Sequence, residues 1–349
     1  FPPEPSVKLV VDIIEYCSEN MPLYNPVSVS GYHIREAGST AAQELAFTLN
    51  NGFAYIDESL KRGLKIDDFA HRLSFFFNAH MDFFEEIAKY RAARRIWARR
   101  LKEKYKAKKE SSLKLKFHTQ TAGCSLTAQQ PENNIVRTAF EAMSAVLGGT
   151  NSLHTNSLDE TLALPSEKAA KIALRTQQIL AYETGVPNVA DPLGGSWYVE
   201  ELTDKIENQA MKIFDEIEEM GGTINAIEEG YFQKKIGESA SIFQESVDSK
   251  ERVIVGVNDF IEENEKIDIE ILKISKDAQL TQEDKIKKLR KNRNNKLLKE
   301  KMEKLSVACK KDLNLVPFLV EVAEAGASVG EIVEVMKNEY GEWQETFGI

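Results

Sequence analysis

The sequence predicts an α/β protein that contains half of an eight-unit (β/α)8 barrel, followed by a mainly helical extension. Strand-like segments alternate with amphipathic helices over residues 1–222, and this order is typical of a parallel sheet. Three or four βα units can be recognised there, which is half of a closed barrel. After residue 222 charged helical patterns dominate. We therefore predict two domains, 1–222 and 223–349.

The first part of the chain predicts a helix, a strand and a long helical stretch. Residues 5–21 have apolar side chains at helical spacing after a Pro-rich start. Residues 27–30 alternate valine with serine, which is typical of a short strand. From residue 40 to about 106 the spacing is helical, with breaks near Gly52 and Gly63.

The next part predicts two strands, each followed by a helix. In Leu113–Gln120 apolar residues alternate with Lys, His and Gln. A helix over 133–149 ends in two glycines, which suit a helix C-terminus. Residues 151–157 predict a short strand, and 166–185 predict a helix with Ser166 as its cap. A Gly-rich loop and another helix complete this part, over 189–203 and 204–222.

The pattern of the remaining residues differs. Segments 249–260 and 266–275 resemble short strands, and 327–343 predicts a final amphipathic helix. Residues 281–313 predict one highly charged helix. We interpret that helix as a solvated surface with i,i+4 ion pairs. A partner-binding helix or a basic patch is the alternative.

Bulk composition argues against several classes of protein. The net charge of −10 argues against binding of nucleic acid by overall electrostatics. The sequence has no apolar run long enough for a membrane span and no pattern of a signal peptide. Its three widely spaced cysteines form neither a disulfide framework nor a metal cluster, so we expect a cytoplasmic location and no bound metal. The chain starts without Met, and we expect it to continue a longer one.

Three predicted strand ends each carry a histidine beside small polar residues: His33, His118 and His154. Active sites of α/β barrels are built at the carboxyl ends of the strands. A barrel lined with Ser, Thr and His would leave a wettable tunnel for a long polar ligand. The structural alternative for each histidine is a hydrogen bond to a neighbouring backbone group.

Six strings make this chain resemble the methylmalonyl-CoA mutase family: "FPPEPS", "SVSGYHIREAGSTAAQELAFTL", "RLSFFFNAHMDFFEEIAKYRAARRIWA", "HTQTAGCSLTAQQPENNIVRT", "GGTNSLHTNSLDETLALPSEKAAKIALRTQQI" and "VADPLGGSWYVEELT". The resemblance is dense over residues 1–222. It implies the C-terminal half of a barrel through which coenzyme A passes, with adenosylcobalamin across the C-terminal face. The implied reaction is a radical 1,2-shift that interconverts (R)-methylmalonyl-CoA and succinyl-CoA.

The resemblance also implies roles at the reacting centre. His33 would donate a hydrogen bond to the migrating thioester carbonyl, where a donor stabilises developing negative charge. Tyr32 would lie between the substrate and the adenosyl group. Glu36 matches a carboxylate near the cobalamin, and His118 and Gln120 match the "HxQT" strand end that faces it.

Further roles are implied along the ligand. Arg72 and Ser74 match contacts to the coenzyme A chain and its phosphates, and Lys116 would meet a phosphate. Asn156 and Glu160 match a loop near the corrin. The structural alternatives are surface carboxylates for Glu36 and Glu160 and an ion pair for Arg72. Cys124 stands where many relatives have Trp, and we interpret it as a small apolar filler.

The resemblance implies partners. The family's DxHxxG motif, whose His ligates cobalt, does not occur in this sequence, so we expect a separate cobalamin-binding small subunit, the N-terminal half of the barrel and a hetero-oligomer. The residues that recognise the substrate carboxylate are expected outside this chain. Isobutyryl-CoA or 2-hydroxyisobutyryl-CoA mutase is therefore an alternative, as is a non-catalytic, mutase-like scaffold. A helical interaction protein built on residues 285–311 would explain that segment alone.

Overall fold

The computed structural model describes residues 1–263, 269 and 271–345. Its sheet has four strands in the order β1-β2-β3-β4: β1 Val27–Ser30, β2 Leu73–Ala79, β3 Phe117–Thr121 and β4 Ser152–His154. β2 and β3 are parallel, as are β3 and β4. Helices connect successive strands, so the α/β class and the partial barrel are confirmed.

The α-helices of the described residues follow in chain order: α1 Pro3–Asn20, α2 Tyr32–Glu36, α3 Ala41–Lys61, α4 Ile66–Phe69, α5 Phe83–Glu103, α6 Glu110–Leu113, α7 Asn133–Leu147, α8 Glu167–Tyr182, α9 Trp197–Glu219, α10 Thr223–Glu228, α11 Tyr231–Asp248, α12 Lys276–Asn292, α13 Asn295–Lys310, α14 Val316–Glu324 and α15 Val329–Tyr340. None of these helices is long and apolar enough to cross a membrane.

The chain forms two compact units. One contains the sheet and consists of residues 28–54 and 65–272, as far as these are described. The other consists of residues 1–27 and 55–64 and the described residues from 273 onward. The predicted domain boundary between residues 222 and 223 stays a prediction.

The core of the sheet unit lies between the strands and α5. Phe75 and Phe77 of β2 and Phe117 of β3 are almost completely buried. The Phe75 ring packs edge-on against Trp97, with 5.0 Å between the ring centroids. The Phe117 ring stacks on Tyr90 at 5.2 Å. This apolar face places the alternate residues of β2 and β3 on the opposite face of the sheet.

The prediction of helical structure over 40–106, with breaks near Gly52 and Gly63, was wrong at β2. The run "LSFFFNA" is a short, nearly continuous apolar segment, and such a strand is not distinguishable from a buried helix by periodicity. Gly52 does not end α3. A Cβ at Gly52 would lie 2.8 Å from Cε1 of Phe75, so the missing side chain allows helix and strand to pack closely. Gly63, at φ +91°, does follow the end of α3.

Other boundaries also needed correction. The strand predicted over 113–120 begins only at Phe117, because residues 110–113 form a helical turn. α9 already begins at Trp197, inside the predicted loop 189–203. Segment 249–260 contains only an isolated bridge, from Val255 to Asp259. The strand predicted over 266–275 lies partly outside the described residues, and positions 269 and 271–275 are not in a strand.

The charged segment 281–313 is not one helix. α12 and α13 are separated at Arg293, whose guanidinium binds Glu331 and the carbonyl of Gly326 (2.9 Å). Asn294 caps α13 by accepting a hydrogen bond from Leu297 N at 3.0 Å. The helices predicted over 5–21, 133–149, 166–185 and 327–343 are confirmed, as is the strand over 27–30.

The second unit has its own core, formed by Leu305, Leu315, Val322 and Met336. Asp12 of α1 is fully buried there. Its carboxylate accepts hydrogen bonds from Lys8 (2.8 Å), Arg62 and the amide of Leu315 (3.1 Å). The buried negative charge of Asp12 therefore has two cationic partners and one backbone donor, which offset the cost of removing it from water.

Candidate active site

A row of three aromatic rings crosses the polar face of the sheet. Tyr32 stacks on Phe76, with the ring centroids 5.0 Å apart, and Phe76 packs edge-on against His118 at 5.0 Å. The amide of Gly31 donates to the carbonyl of Phe76 at 2.7 Å, which anchors the start of α2 on β2. This hydrogen bond brings Tyr32 over the sheet.

Tyr32 and Gln120 are directly linked to Asn156. The Gln120 amide donates to Tyr32 Oη at 3.0 Å and to Asn156 Oδ1 at 2.8 Å. Asn156 is 2% exposed and is fixed by Thr121, to whose carbonyl its Nδ2 donates at 2.8 Å. Burial is the main cause that raises the pKa of Tyr32, so the phenol stays protonated and can donate a hydrogen bond.

Glu36 accepts three hydrogen bonds from this end of the sheet. Its Oε1 accepts from Asn78 Nδ2 (2.7 Å) and from the amide of Gly123 (2.9 Å). Its Oε2 accepts from the amide of Cys124 at 2.8 Å. A Cβ at Gly123 would lie 2.9 Å from Glu36 Oε2, so glycine is required for this approach. Glu36 thus holds the loop after β3 in place, which the alternative of a simple surface carboxylate did not anticipate.

The three strand-end histidines are held in the neutral form. Partial desolvation by the surrounding protein atoms lowers the pKa of His33, of His154 and, together with the charge of His154, of His118. His118 Nδ1 lies 2.7 Å from Ser152 Oγ. His33 Nδ1 lies 3.4 Å from Ser30 Oγ. The partners of His33 and His118 are thus serine hydroxyls, not the neighbouring backbone of the structural alternative. A neutral imidazole donates through its protonated nitrogen without changing the charge of the site.

The predicted residues fall at two ends of the sheet. Tyr32, Gln120 and Asn156 lie together at the carboxyl ends of the strands. Arg72 and Lys116 directly precede β2 and β3. Lys116 Nζ donates to the carbonyl of His71 at 2.9 Å. Gln120 pairs with Asn78 in the register, so at about 3.3 Å per residue Arg72 lies roughly 20 Å, and Lys116 roughly 13 Å, from the level of Gln120.

The remaining predicted positions lie between or beside these groups. Ser74, in β2, is on the same face of the sheet as Phe76, two residues further along. Glu160 lies in the turns after β4, where partial desolvation of its carboxyl group, followed by the charges of Glu36 and Asp159, raises its pKa. Its carboxylate is not joined to the Tyr32 cluster by the hydrogen bonds of the described residues.

Sequence reasoning missed Phe76 and Asn78, because the strand that carries them was not recognised. Alternate positions of "SFFFNA" would have placed Phe76 on the polar face. Asn78 is fully buried at the end of β2, and a single asparagine in an apolar run gave no sign of its partners.

The fold and this arrangement define a class of protein. A parallel half barrel with neutral histidines, a tyrosine and amides at its carboxyl edge and cationic side chains at its amino edge belongs to the barrel enzymes. The sequence profile described as methylmalonyl-CoA mutase matches residues 1–342. The chain therefore belongs to the methylmalonyl-CoA mutase family, which is a family of isomerases.

Relatives of known function agree with this assignment. Methylmalonyl-CoA mutase of Rhizobium meliloti (strain 1021) is 50% identical over 345 residues, which cover 98% of this chain and 48% of the relative. The 2-hydroxyisobutanoyl-CoA mutase large subunit of Aquincola tertiaricarbonis is 46% identical over 347 residues, which cover 99% of this chain and 62% of the relative. The mitochondrial methylmalonyl-CoA mutase of Homo sapiens is 46% identical over 344 residues, which cover 98% of this chain and 46% of the relative. The chain thus spans about half the length of these relatives.

Proposed function

We propose that this chain is the part of an adenosylcobalamin-dependent isomerase that interconverts (R)-methylmalonyl-CoA and succinyl-CoA. The observation that carries the proposal is the linked set Tyr32, Gln120 and Asn156 at the carboxyl end of the sheet, with His33 beside it. The roughly 20 Å between this set and Arg72 matches an extended ligand such as coenzyme A, which places its thioester and its phosphates far apart.

The chain's residues suit the proposed cofactor. The periphery of a corrin is rich in amides, which pair with amide and hydroxyl groups such as those of Gln120, Asn156 and Tyr32. The backbone at Gly123 lies against Glu36 with no side chain between, and Cys124 beside it is exposed. His118 and Glu160 would complete this surface. The DxHxxG motif that supplies the cobalt ligand in this family does not occur in the sequence, so we propose that a separate subunit supplies that ligand.

The geometry is compatible with the chemical roles that we propose for these residues. Adenosylcobalamin, when bound, supplies the carbon radical that starts the rearrangement. His33, neutral and exposed, would donate to the thioester carbonyl as negative charge develops on its oxygen. Tyr32, fixed by Gln120, would separate the substrate from the adenosyl group and exclude water. Arg72, Ser74 and Lys116 would bind the remote part of coenzyme A, which positions the thioester.

A second candidate is the mutase that acts on 2-hydroxyisobutyryl-CoA. The 46% identity to the 2-hydroxyisobutanoyl-CoA mutase large subunit favours it. That relative is named as a large subunit, which also supports a partner subunit and a hetero-oligomer for this chain. The partner half of the barrel and the cytoplasmic location likewise remain predictions.

An activity assay tests the proposal. The chain is assembled with the complementary barrel half and a cobalamin-binding subunit, and (R)-methylmalonyl-CoA, isobutyryl-CoA and 2-hydroxyisobutyryl-CoA are supplied in parallel with adenosylcobalamin. We expect succinyl-CoA from the first substrate. Replacing His33 by Ala should lower kcat by roughly 10²–10³-fold, the usual cost of one donor to a developing oxyanion.

The His154→Ala variant is the matched control, because His154 also ends a strand but has no assigned contact with the substrate. We expect its kcat to stay within about threefold of wild type. Turnover of another substrate alone would reassign the reaction, and turnover of none despite bound cofactor would favour the scaffold.

A further inference from the structure

We propose that Asn78 is a positioning residue, which holds Glu36 and thereby orders both the helix that carries Tyr32 and His33 and the loop after β3. This inference rests on the proposed function and extends it to a residue that does not touch the ligand. It follows from three observations on the contacts of Asn78.

The side chain of Asn78 is committed to Glu36. Asn78 is 0% exposed, and its Nδ2 donates to Glu36 Oε1 at 2.7 Å. Its other amide atom, Oδ1, is buried and has no hydrogen-bond partner within the described residues. The hydrogen bond to Glu36 is therefore the contact through which this side chain acts on its surroundings.

The backbone of Asn78 is held from the other side of the sheet by buried charges. Glu44 accepts from the Asn78 amide at 2.6 Å, and Lys89 Nζ donates to the Asn78 carbonyl at 2.7 Å. Tyr90 Oη donates to the same carbonyl at 2.6 Å. Glu44 and Lys89 are completely buried and form an ion pair. Because these groups fix the backbone of Asn78, its side-chain amide is held in one position relative to Glu36.

Glu36 transmits this position to the reacting centre. It ends α2, the five-residue helix on which Tyr32 and His33 are the first two residues. The same carboxylate accepts from the amides of Gly123 and Cys124. Displacement of Glu36 would therefore release both structures that flank the proposed ligand, and a shift of about 1 Å at a reacting group can cost up to 10²-fold in rate.

An Asn78→Asp variant tests the proposal with almost no change in shape. Its new carboxyl group would lie beside that of Glu36, and two carboxyl groups at this distance share one proton, as in the aspartic protease dyad. At low pH the shared proton preserves the hydrogen bond. At high pH both groups ionise and repel one another. The ionisable groups around this pair are Tyr32 and Arg35 of α2, Glu44 of α3, Glu85, Glu86, Lys89 and Tyr90 of α5, His80 after β2, Cys124 after β3, Glu141 of α7 and Glu160 after β4.

Two readouts are measured on the complete enzyme. The first is hydrogen exchange, by mass spectrometry without cofactor, of the peptide that contains Gly123 and Cys124. After correction for the intrinsic rate, we expect exchange in Asn78→Asp to match wild type near pH 6 and to be about tenfold faster near pH 8.5. The second readout is kcat of the cofactor-loaded enzyme, which should fall about tenfold over the same range with less than a twofold change in KM.

Two further variants complete the test. Asn50 of α3 is also buried, and its Nδ2 donates to Thr223 Oγ1 of α10 at 2.8 Å, outside the Glu36 cluster, so Asn50→Asp should give a wild-type pH profile in both readouts. Asn78→Ala removes the donor without adding charge. It should show faster exchange at both pH values, and it keeps the proposal testable if Asn78→Asp does not fold.

The outcomes separate the two proposals. Wild-type exchange and wild-type kcat at all pH values in both Asn78 variants would overturn the positioning role. The same pH-dependent change in Asn50→Asp would also overturn it, because a general loss of stability would then explain the effect. Hydrogen exchange needs no turnover, so an inactive wild-type enzyme would refute the proposed function while pH-dependent exchange would still support the role of Asn78.

Discussion

Two mid-helix glycines should respond in opposite ways to the same substitution. A Cβ at Gly52 in α3 would lie 2.8 Å and 2.9 Å from Cε1 and Cζ of Phe75, about 1 Å inside a normal carbon–carbon contact. The Phe75 ring is fully buried and packs on Trp97. A Cβ at Gly237 in α11 would meet nothing within 4 Å. The two sites share the gain in helix propensity but not the steric overlap.

The magnitudes follow from these contacts. Ala in place of Gly in a helix interior gains about 1 kcal/mol. At Gly52 the overlap with a ring that has no free space costs about 3 kcal/mol, the upper part of the range for overpacking. We therefore expect Gly52→Ala to lower the free energy of unfolding by about 2 kcal/mol, and Gly237→Ala to raise it by up to about 1 kcal/mol.

Urea unfolding of the complete enzyme, followed by circular dichroism, measures both variants against wild type. The midpoint should move to lower urea for Gly52→Ala and to higher urea for Gly237→Ala, with similar slopes. If Gly52→Ala stabilised the protein as much as Gly237→Ala does, the close packing of α3 on β2 would be refuted.

Two further predictions concern ionisable groups. The hydrogen bond from Arg293 is the main cause that lowers the pKa of Glu331, so its stabilisation is present above the unfolded pKa of about 4.3 and is lost as the pH falls toward the folded value. Glu331→Gln should therefore lower the free energy of unfolding by about 1 kcal/mol or less at pH 7, because the pair is partly exposed. In urea unfolding, the difference from wild type should shrink below pH 4. A difference that does not change with pH would show that the ion pair with Arg293 is not its cause. Cys124 is accessible, but desolvation by the surrounding protein atoms, followed by the charge of Glu36, raises the pKa of its thiol to about 12, so iodoacetamide should modify it at pH 8 roughly 10²–10³-fold more slowly than free cysteine. A rate near that of free cysteine would contradict this environment.

The sequence pattern predicted the strands whose two faces differ in polarity. β1 and β3 alternate small or polar residues with apolar ones, and their positions were predicted to within a few residues. β2 was missed because Phe75, Phe76 and Phe77 are consecutive, so the period of two is hidden. The break between α12 and α13 was missed for another reason: Arg293 interrupts the helix through tertiary contacts with Gly326 and Glu331, which no local pattern contains.

The sequence predicted the residues expected to face the ligand, but not the residues that hold them in place. Tyr32, His33, His118 and Gln120 end strands or start the following helix, so chain order and the barrel rule were enough to bring them to one edge. Their support is different, because the donors to Glu36 come from positions 42, 87 and 88 residues away, and two of them are backbone amides. Backbone donors leave no mark on residue type except the glycine that allows close approach. A sequence therefore displays the groups that meet a ligand more readily than the groups that hold them.

The difference between groups that contact a ligand and groups that hold them in place explains why a positioning role for Asn78 is not visible in the apolar run around it. Two carboxylates and a lysine cost free energy to bury, and they are tolerated here because each finds a partner. Glu44 and Lys89 bind the backbone amide and carbonyl of Asn78, and the side chain of Asn78 donates to Glu36. A rigid charged cluster on one face can thus fix the geometry of neutral donors on the other. Precise placement of Tyr32 and His33 would then depend on residues that no ligand contacts.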